Sequence, residues 1–468
     1  MTSYTMTIDG RSAPAAASFG VINPATGEVF ARAPDCSVEQ LNAAFVAAER
    51  AQRGWGKDEE ARRKALHAAG DLLFAKAQEL AQVLTAEQGK PIQDALFEIA
   101  GAGIWFKHFA DLPVPRELIR DDDAARVEVI RRPMGVVAAI TPWNFPLVLA
   151  TWKLAPALLG GNTVVLKPSP YTPLTTLAVG ELLSEVLPPG VLNVVSGLDP
   201  LGAAMTAHSV PRKISFTGSI ATGKKVAAAA AADLKRITLE LGGNDPAIVL
   251  DDADPAVVAP KLFSRAFQNN GQVCSAIKRV YVPDHLHDDL VEALAATARA
   301  AKVGDGTLDG VQLGPINNRP QLERVGELVA DALARGGRAA AGGGPIDGPG
   351  YFYRPTVLTD VEDGFRIVDE EQFGPVLPVV RYRSVDEAVE RANGTHFGLC
   401  GSVWGADADR ATEVAGRLEC GTAWINTHLD LHPGQPFGGF KWSGVGVENG
   451  PWGLESFTEV QVVHRAKV

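Results

Sequence analysis

Gly135-Val-Val-Ala-Ala-Ile-Thr-Pro-Trp-Asn-Phe-Pro146 sets the architecture of this chain. Its first half is a short apolar run without polar alternation. Such a run fits a strand buried on both faces, as in a parallel sheet covered by helices. A helix is expected after Pro146. The pattern recurs downstream. Thr163 to Leu166, Val191 to Val195, Lys213 to Phe216 and Ile237 to Leu239 read as strands, with a helix over about Thr175 to Val186. Strands alternating with helices place the chain in the α/β class, with doubly wound sheets. Gly242-Gly243 reads as a hinge, and a second αβ series runs from near Ala247 to about Trp442.

Upstream, Ser37 and Gln40 form a capping-box pattern for a helix to about Arg53. One longer helical region is expected from Asp58 to Gln88, stopped by Gly89-Lys-Pro91. Arg126 to Arg132 alternates like a strand or hairpin arm. Phe457 to His464 alternates too, with no hairpin partner nearby in sequence.

The bulk numbers exclude several classes. A chain of 468 residues predicts more than one domain. It carries 44 Lys and Arg against 55 Asp and Glu, a net charge of −11. That sign argues against nucleic acid as a partner. No stretch reaches the roughly 20 apolar residues of a membrane span, and Met1 to Gly10 has no signal-peptide pattern. Cys36, Cys274, Cys400 and Cys420 are scattered, with no CxxC pair. Neither a metal cluster nor a disulfide framework is suggested, and a cytoplasmic setting fits. His285 and His287 read as part of a surface turn after Pro283 rather than as metal ligands.

Four fragments carry chemistry. Cys274 follows the polar turn Asn269-Asn-Gly-Gln272, and Ser275-Ala-Ile277 has the pattern of a helix start; a thiol there has a lowered pKa. The bland reading, a small buried hydrophobe, is accepted for the other three cysteines. Glu240 ends an apolar strand in front of two glycines, as either a cleft carboxylate or a capping residue. Asn144, between Trp143 and Phe145 with prolines outside them, is either an oxyanion donor or an Asx-turn residue. Phe216-Thr-Gly-Ser219, continuing to Gly223-Lys-Lys225, follows a strand and opens a helix, a phosphate-binding arrangement. It lacks GxGxxG, and Lys225 stands where a P-loop needs Ser or Thr.

Taken in order, these motifs resemble the aldehyde dehydrogenase superfamily of NAD(P)-dependent enzymes. The resemblance runs from Ile22-Asn-Pro-Ala-Thr-Gly-Glu28 through Glu87-Gln-Gly-Lys-Pro91, the Asn144 pentapeptide, Lys167-Pro-Ser169, Phe216-Thr-Gly-Ser219, Glu240-Leu-Gly-Gly243, Gly271-Gln-Val-Cys274 and Glu371-Gln-Phe-Gly-Pro375 to Pro436-Phe-Gly-Gly439. It implies Cys274 as nucleophile, Asn144 as oxyanion donor and Glu240 as the base that hydrolyses a thioester. A glutamate at position 240 also implies a free acid as product, since members that acylate coenzyme A usually lack it.

The resemblance implies a cofactor site, NAD with NADP tolerated, formed by Thr141, Pro142, Trp143, Lys167, Ser169, Pro170, Phe216, Gly218, Ser219, Leu241, Gly242, Glu371 and Phe373. Pro170 departs from NAD-preferring members, many of which place an acid there to hold the ribose hydroxyls. A substrate funnel is implied from Phe145, Leu149, Trp152, Gln268, Val273, Ser275 and Phe437, with His428 and His432 near its mouth. Its walls suit an uncharged aliphatic or aromatic aldehyde. Gln268 stands where succinic semialdehyde enzymes typically offer Arg, which argues against an ω-carboxylated substrate.

The implied domains are 1–114 and 134–242 for the cofactor, 243–442 for catalysis, and 115–133 with 453–468 for oligomerisation as a homodimer or homotetramer. The Phe457 to His464 strand is then free to add to a neighbouring subunit. Two further readings stand beside this one: a P-loop-like phosphotransferase on Gly218 to Lys225, and a non-catalytic relative of the fold.

Overall fold

The computed structural model describes residues 4–467, so Met1–Ser3 and Val468 of the expected domain spans lie outside it. Val136–Ile140 is a strand, and every residue before Ile140 is buried. It pairs in parallel with Thr163–Lys167 on one side and Lys213–Thr217 on the other. Leu192–Val194 and Arg236–Glu240 extend this parallel core outward. The strands Gly444–Val445, Met6–Ile8 and Arg11–Ala13 complete an eight-stranded sheet with antiparallel edges.

The chain first builds outward from Val136–Ile140 on one side, then crosses to lay Lys213–Thr217 on the other. That reversal is a topological switch point. Loops leaving the carboxyl ends of the two strands part there and leave a crevice. Thr141 to Asn144 lie in one loop, and Gly218 and Ser219 in the other.

A seven-stranded sheet follows, with Ile277–Pro283 between Val376–Tyr382 and Asp245–Val249, all parallel. The crossing between the sheets is Leu241-Gly-Gly-Asn244. The hinge expected at Gly242-Gly243 is instead a clamped passage. The Ser443 hydroxyl donates to the Gly242 carbonyl at 2.8 Å, and the Gly243 N–H donates to Glu371 at 3.3 Å. Glycine is needed for close approach: a Cβ on Gly242 would lie 2.2 Å from a Glu371 oxygen, and one on Gly243 2.4 Å from the Cys274 carbonyl.

The capping box forms as expected, opening the helix Val38–Trp55. The long helix does not. Lys76 leaves helical geometry (φ −104°, ψ 10°) and divides it into Glu59–Ala75 and Ala77–Gln88. No Gly or Pro marks that break. The second helix does stop at Gly89, whose φ of 100° suits glycine. His285 and His287 lie in the helix Asp284–Ala300 rather than a turn. His287 is buried against Asp288 and Thr359. The strand Thr458–Ala466 pairs antiparallel with Ala125–Pro133, distant in sequence, and Arg116–Asp121 completes a three-stranded sheet. Its long pairing partner thus lies in its own chain, while its other edge stays open. Among the described residues no helix is long and apolar enough to cross a membrane, and no group of three His, Cys, Asp or Glu could hold a metal ion.

Candidate active site

Cys274 lies where the two large sheets meet. Asn269, Asn270 and Gly271 have φ of 48°, 59° and 73°, a left-handed run immediately before Gln272. Asn tolerates this region better than most residues, and Gly without cost. A Cβ on Gly271 would come within 2.1 Å of the Gly374 carbonyl. The helix expected after Cys274 is absent: the chain turns and enters the strand Ile277–Pro283. Ile277, Val280 and Val282 are β-branched, and with Tyr281 they favour a buried strand of the parallel sheet over a helix.

The thiol therefore has no helix N-terminus beside it. Burial pushes it up to about 12; Glu371, Glu240 and Asp245 add to the rise, and Lys278 opposes it. The lowered pKa expected from sequence is thus reversed in the protein alone. Lys278 was not foreseen. Its buried ammonium donates to the carbonyls of Gly271 at 2.8 Å and Val273 at 2.6 Å, pinning the loop on both sides of Gln272.

Asn144 reaches the same loop. Its side-chain amide donates to the Gln272 carbonyl at 2.9 Å, which leaves its second N–H available. The Asn144 carbonyl accepts from Asn269 and from Lys90, each at 2.9 Å. Lys90 is fully buried and paired with Glu98 at 2.5 Å. Glu98 also accepts from the N–H groups of Leu147 and Val148, capping the helix Pro146–Leu159. The Glu87-Gln-Gly-Lys-Pro91 motif is thereby a buried scaffold. Glu87 likewise caps the helix Leu174–Leu183 through Leu174 and Thr175.

Glu240 ends its strand as expected. Both its carboxylate oxygens are buried without a hydrogen-bond partner. Burial holds its pKa well above the usual carboxylate range; Glu448 raises it further and Lys153 opposes. Glu448 and Lys153 pair at 2.6 Å in a buried site. A Cβ on Gly438 would lie 3.3 Å from Glu240, so the Pro436-Phe-Gly-Gly439 motif packs against the carboxylate.

Aromatic residues wall this region. Trp152 stacks on Trp105 at 5.8 Å and meets the edge of Phe437 at 5.2 Å. Trp105 was not anticipated. Leu149, Val273 and Ser275 are buried, and Phe145 lies under the Lys90 ammonium at 3.8 Å. Gln268 is exposed at the end of its helix. His428 is not at a funnel mouth: it is fully buried and donates to the Ser275 carbonyl at 2.8 Å. Burial drops its pKa to about 3, so the 4.0 Å approach of Asp245 is no ion pair. His432 is exposed, edge-on to His108.

The crevice at the switch point has a volume of about 1270 Å³. Thr141, Pro142 and Trp143 line it from one loop, and Phe216 at the strand end lines it with Gly218 and Ser219 of the other loop. Lys167, Ser169 and Pro170 line it from the next strand end. Burial lowers Lys167 to about 8. Ser219 and Thr222 both line the crevice, and Ser219 caps the helix Ile220–Ala231 through the Thr222 N–H, which leaves the N–H groups of Ile220 and Ala221 without an intrahelical partner. Leu241 and Gly242 are not among the lining residues; they lie in the clamped passage. Glu371 joins the passage through Gly243, and burial raises it to about 7. Phe373 is held edge-on to Trp143 at 5.2 Å.

The aldehyde dehydrogenase family model matches residues 12–463. The chain belongs to the aldehyde dehydrogenase family. It is 40% identical to a mitochondrial succinate-semialdehyde dehydrogenase of Arabidopsis thaliana, over 95% of this chain and 85% of that protein. It is also 40% identical to a betaine aldehyde dehydrogenase of Cereibacter sphaeroides, over 98% and 96%. An aldehyde dehydrogenase of Bacillus cereus solved with NAD+ superposes with a TM-score of 0.97 at 37% identity, covering 99% of this chain and 97% of that one. The chain is an NAD(P)-dependent aldehyde dehydrogenase, an α/β oxidoreductase of small-molecule aldehydes. The crevice suits such a dinucleotide in volume, in its lysine and in its open helix N-terminus.

Proposed function

We propose that this aldehyde dehydrogenase converts an uncharged aliphatic or aromatic aldehyde to the free acid with Cys274, Asn144 and Glu240 as its catalytic residues. The observation that carries this is the convergence on one loop: Asn144 donates to Gln272, Gly243 abuts the Cys274 carbonyl, and the unpartnered Glu240 carboxylate acts on the thiol. Cys274 gives up its proton to solvent, its Sγ attacks the aldehyde carbon, and the free N–H of Asn144 receives the oxyanion that forms, a contact worth about 10² to 10³ in rate. The nicotinamide, when bound, supplies the hydride acceptor. Glu240 then takes a proton from water, which attacks the thioester carbonyl and releases the acid and the Cys274 thiol. Lys167, Ser169 and the Ser219 helix end bind the dinucleotide, with Thr141, Pro142, Trp143, Phe216 and Gly218 forming its walls. Glu371 and Phe373 position its nicotinamide half.

Trp152, Trp105 and Phe437 support an apolar or aromatic substrate chain. An acid-bearing aldehyde is the alternative reading. The succinate-semialdehyde relative gives that alternative weight. The phosphotransferase reading finds no support in the comparisons. We assign 1–114 and 134–242 to cofactor binding, 243–442 to catalysis, and 115–133 with 453–468 to assembly of a cytoplasmic homodimer or homotetramer. Reduction of NAD with a panel of aliphatic, aromatic and ω-carboxylated aldehydes, with Cys274→Ala as control, tests the reading. Turnover by Cys274→Ala at the parent rate sinks it. A preference for the ω-carboxylated aldehydes sinks the uncharged-substrate assignment.

A further inference from the structure

We propose that Asp199 holds the adenosine ribose hydroxyls of the cofactor and disfavours a 2′-phosphate, doing from a neighbouring helix start what Pro170 cannot. This rests on reading the crevice as the dinucleotide site.

The geometry comes from two adjacent parallel strands. Thr163–Lys167 and Leu192–Val194 pair from Val164 with Leu192 to Leu166 with Val194. The Val195 N–H still donates to Leu166 at 2.9 Å. Both chains then leave the same sheet end, one toward Pro170 and Tyr171, the other toward Leu198 and Asp199. All four residues line the crevice beside Lys167. The negative charge of Asp199 raises Tyr171 and partly offsets the burial that lowers Lys167. Asp199 therefore acts on both ends of the segment that carries Pro170.

Two further facts single it out. Among the described residues lining the crevice, Asp199 is the sole carboxylate, in a wall that also carries Lys167, Lys225 and Arg319. Its helix, Asp199–Ala207, has no side-chain cap, so the carboxylate is not consumed at its own N-terminus. A carboxylate accepts hydrogen bonds from paired hydroxyls and repels phosphate; proline offers neither a charge nor an N–H there.

The test is titration of NAD and NADP into the full-length protein by calorimetry, giving dissociation constants without turnover. Asp199→Asn keeps the shape and removes the charge. It should weaken NAD and tighten NADP, moving the ratio of their dissociation constants by roughly tenfold or more. Adding Pro170→Glu to that variant should restore the NAD preference. Parent and variant with the same ratio, both binding, would overturn the Asp199 assignment alone; so would a parent that prefers NADP. A parent that binds neither dinucleotide would overturn the crevice reading and this assignment with it.

Discussion

Burial governs the reactive groups at the residue scale. The thiol of Cys274 is pushed up to about 12 and Glu240 stands well above the ordinary carboxylate range. In the cofactor-free protein, site-resolved alkylation of Cys274 should keep accelerating as pH rises through 10, with no plateau near neutrality. A plateau near pH 7 would contradict this. For the base the sign runs the same way: Glu240 must be ionised to accept a proton, so thioester hydrolysis rises with pH through its elevated pKa. Glu448→Gln removes a like charge that raises Glu240, so the acid limb of kcat should move to lower pH. An unmoved limb would show that Glu448 does not act on the base. The sequence singles out Cys274, Glu240 and Asn144 as candidates, but not their electrostatics. The sign of a shift depends on burial and on Glu371 and Asp245, which lie far from Cys274 in sequence, while nearby Lys278 only opposes it.

Elements matter because they hold loops. The Asn144 loop is fixed from below by the buried Lys90–Glu98 pair, which also caps the helix Pro146–Leu159. Removing one partner of such a pair strands a buried charge, at about 3–5 kcal/mol. Glu98→Ala should lower the thermal midpoint and activity together, while Lys90→Met with Glu98→Leu should cost less stability than Glu98→Ala alone. Equal losses in the two proteins, by calorimetry, would contradict the pairing argument. The parallel strands around Val136–Ile140 were readable because burial on both faces leaves continuous apolar runs. The break at Lys76 was not, since neither Gly nor Pro marks it. The polar turn before Cys274 imitates a cap, so local pattern predicts a helix where the strand Ile277–Pro283 forms.

At the scale of the whole molecule, the three-stranded sheet leaves Val460, Val462 and Val463 exposed on its edge strand, at 58%, 60% and 40%. An open apolar edge is a template for pairing. Light scattering should find an oligomer, and Val462→Lys should shift it toward smaller species; a monomeric parent would contradict the assembly assignment. The pairing of Thr458–Ala466 with Ala125–Pro133 was invisible to local pattern because more than 300 residues separate the partners. The central claim is the division of labour between Cys274 and Glu240, and rapid mixing of Glu240→Gln with aldehyde and NAD tests it most directly. The account predicts a burst of reduced cofactor, followed by a slow steady rate, with an acyl group on Cys274 in quenched protein by mass spectrometry. Parent-rate turnover without a burst, or acylation elsewhere, would contradict it.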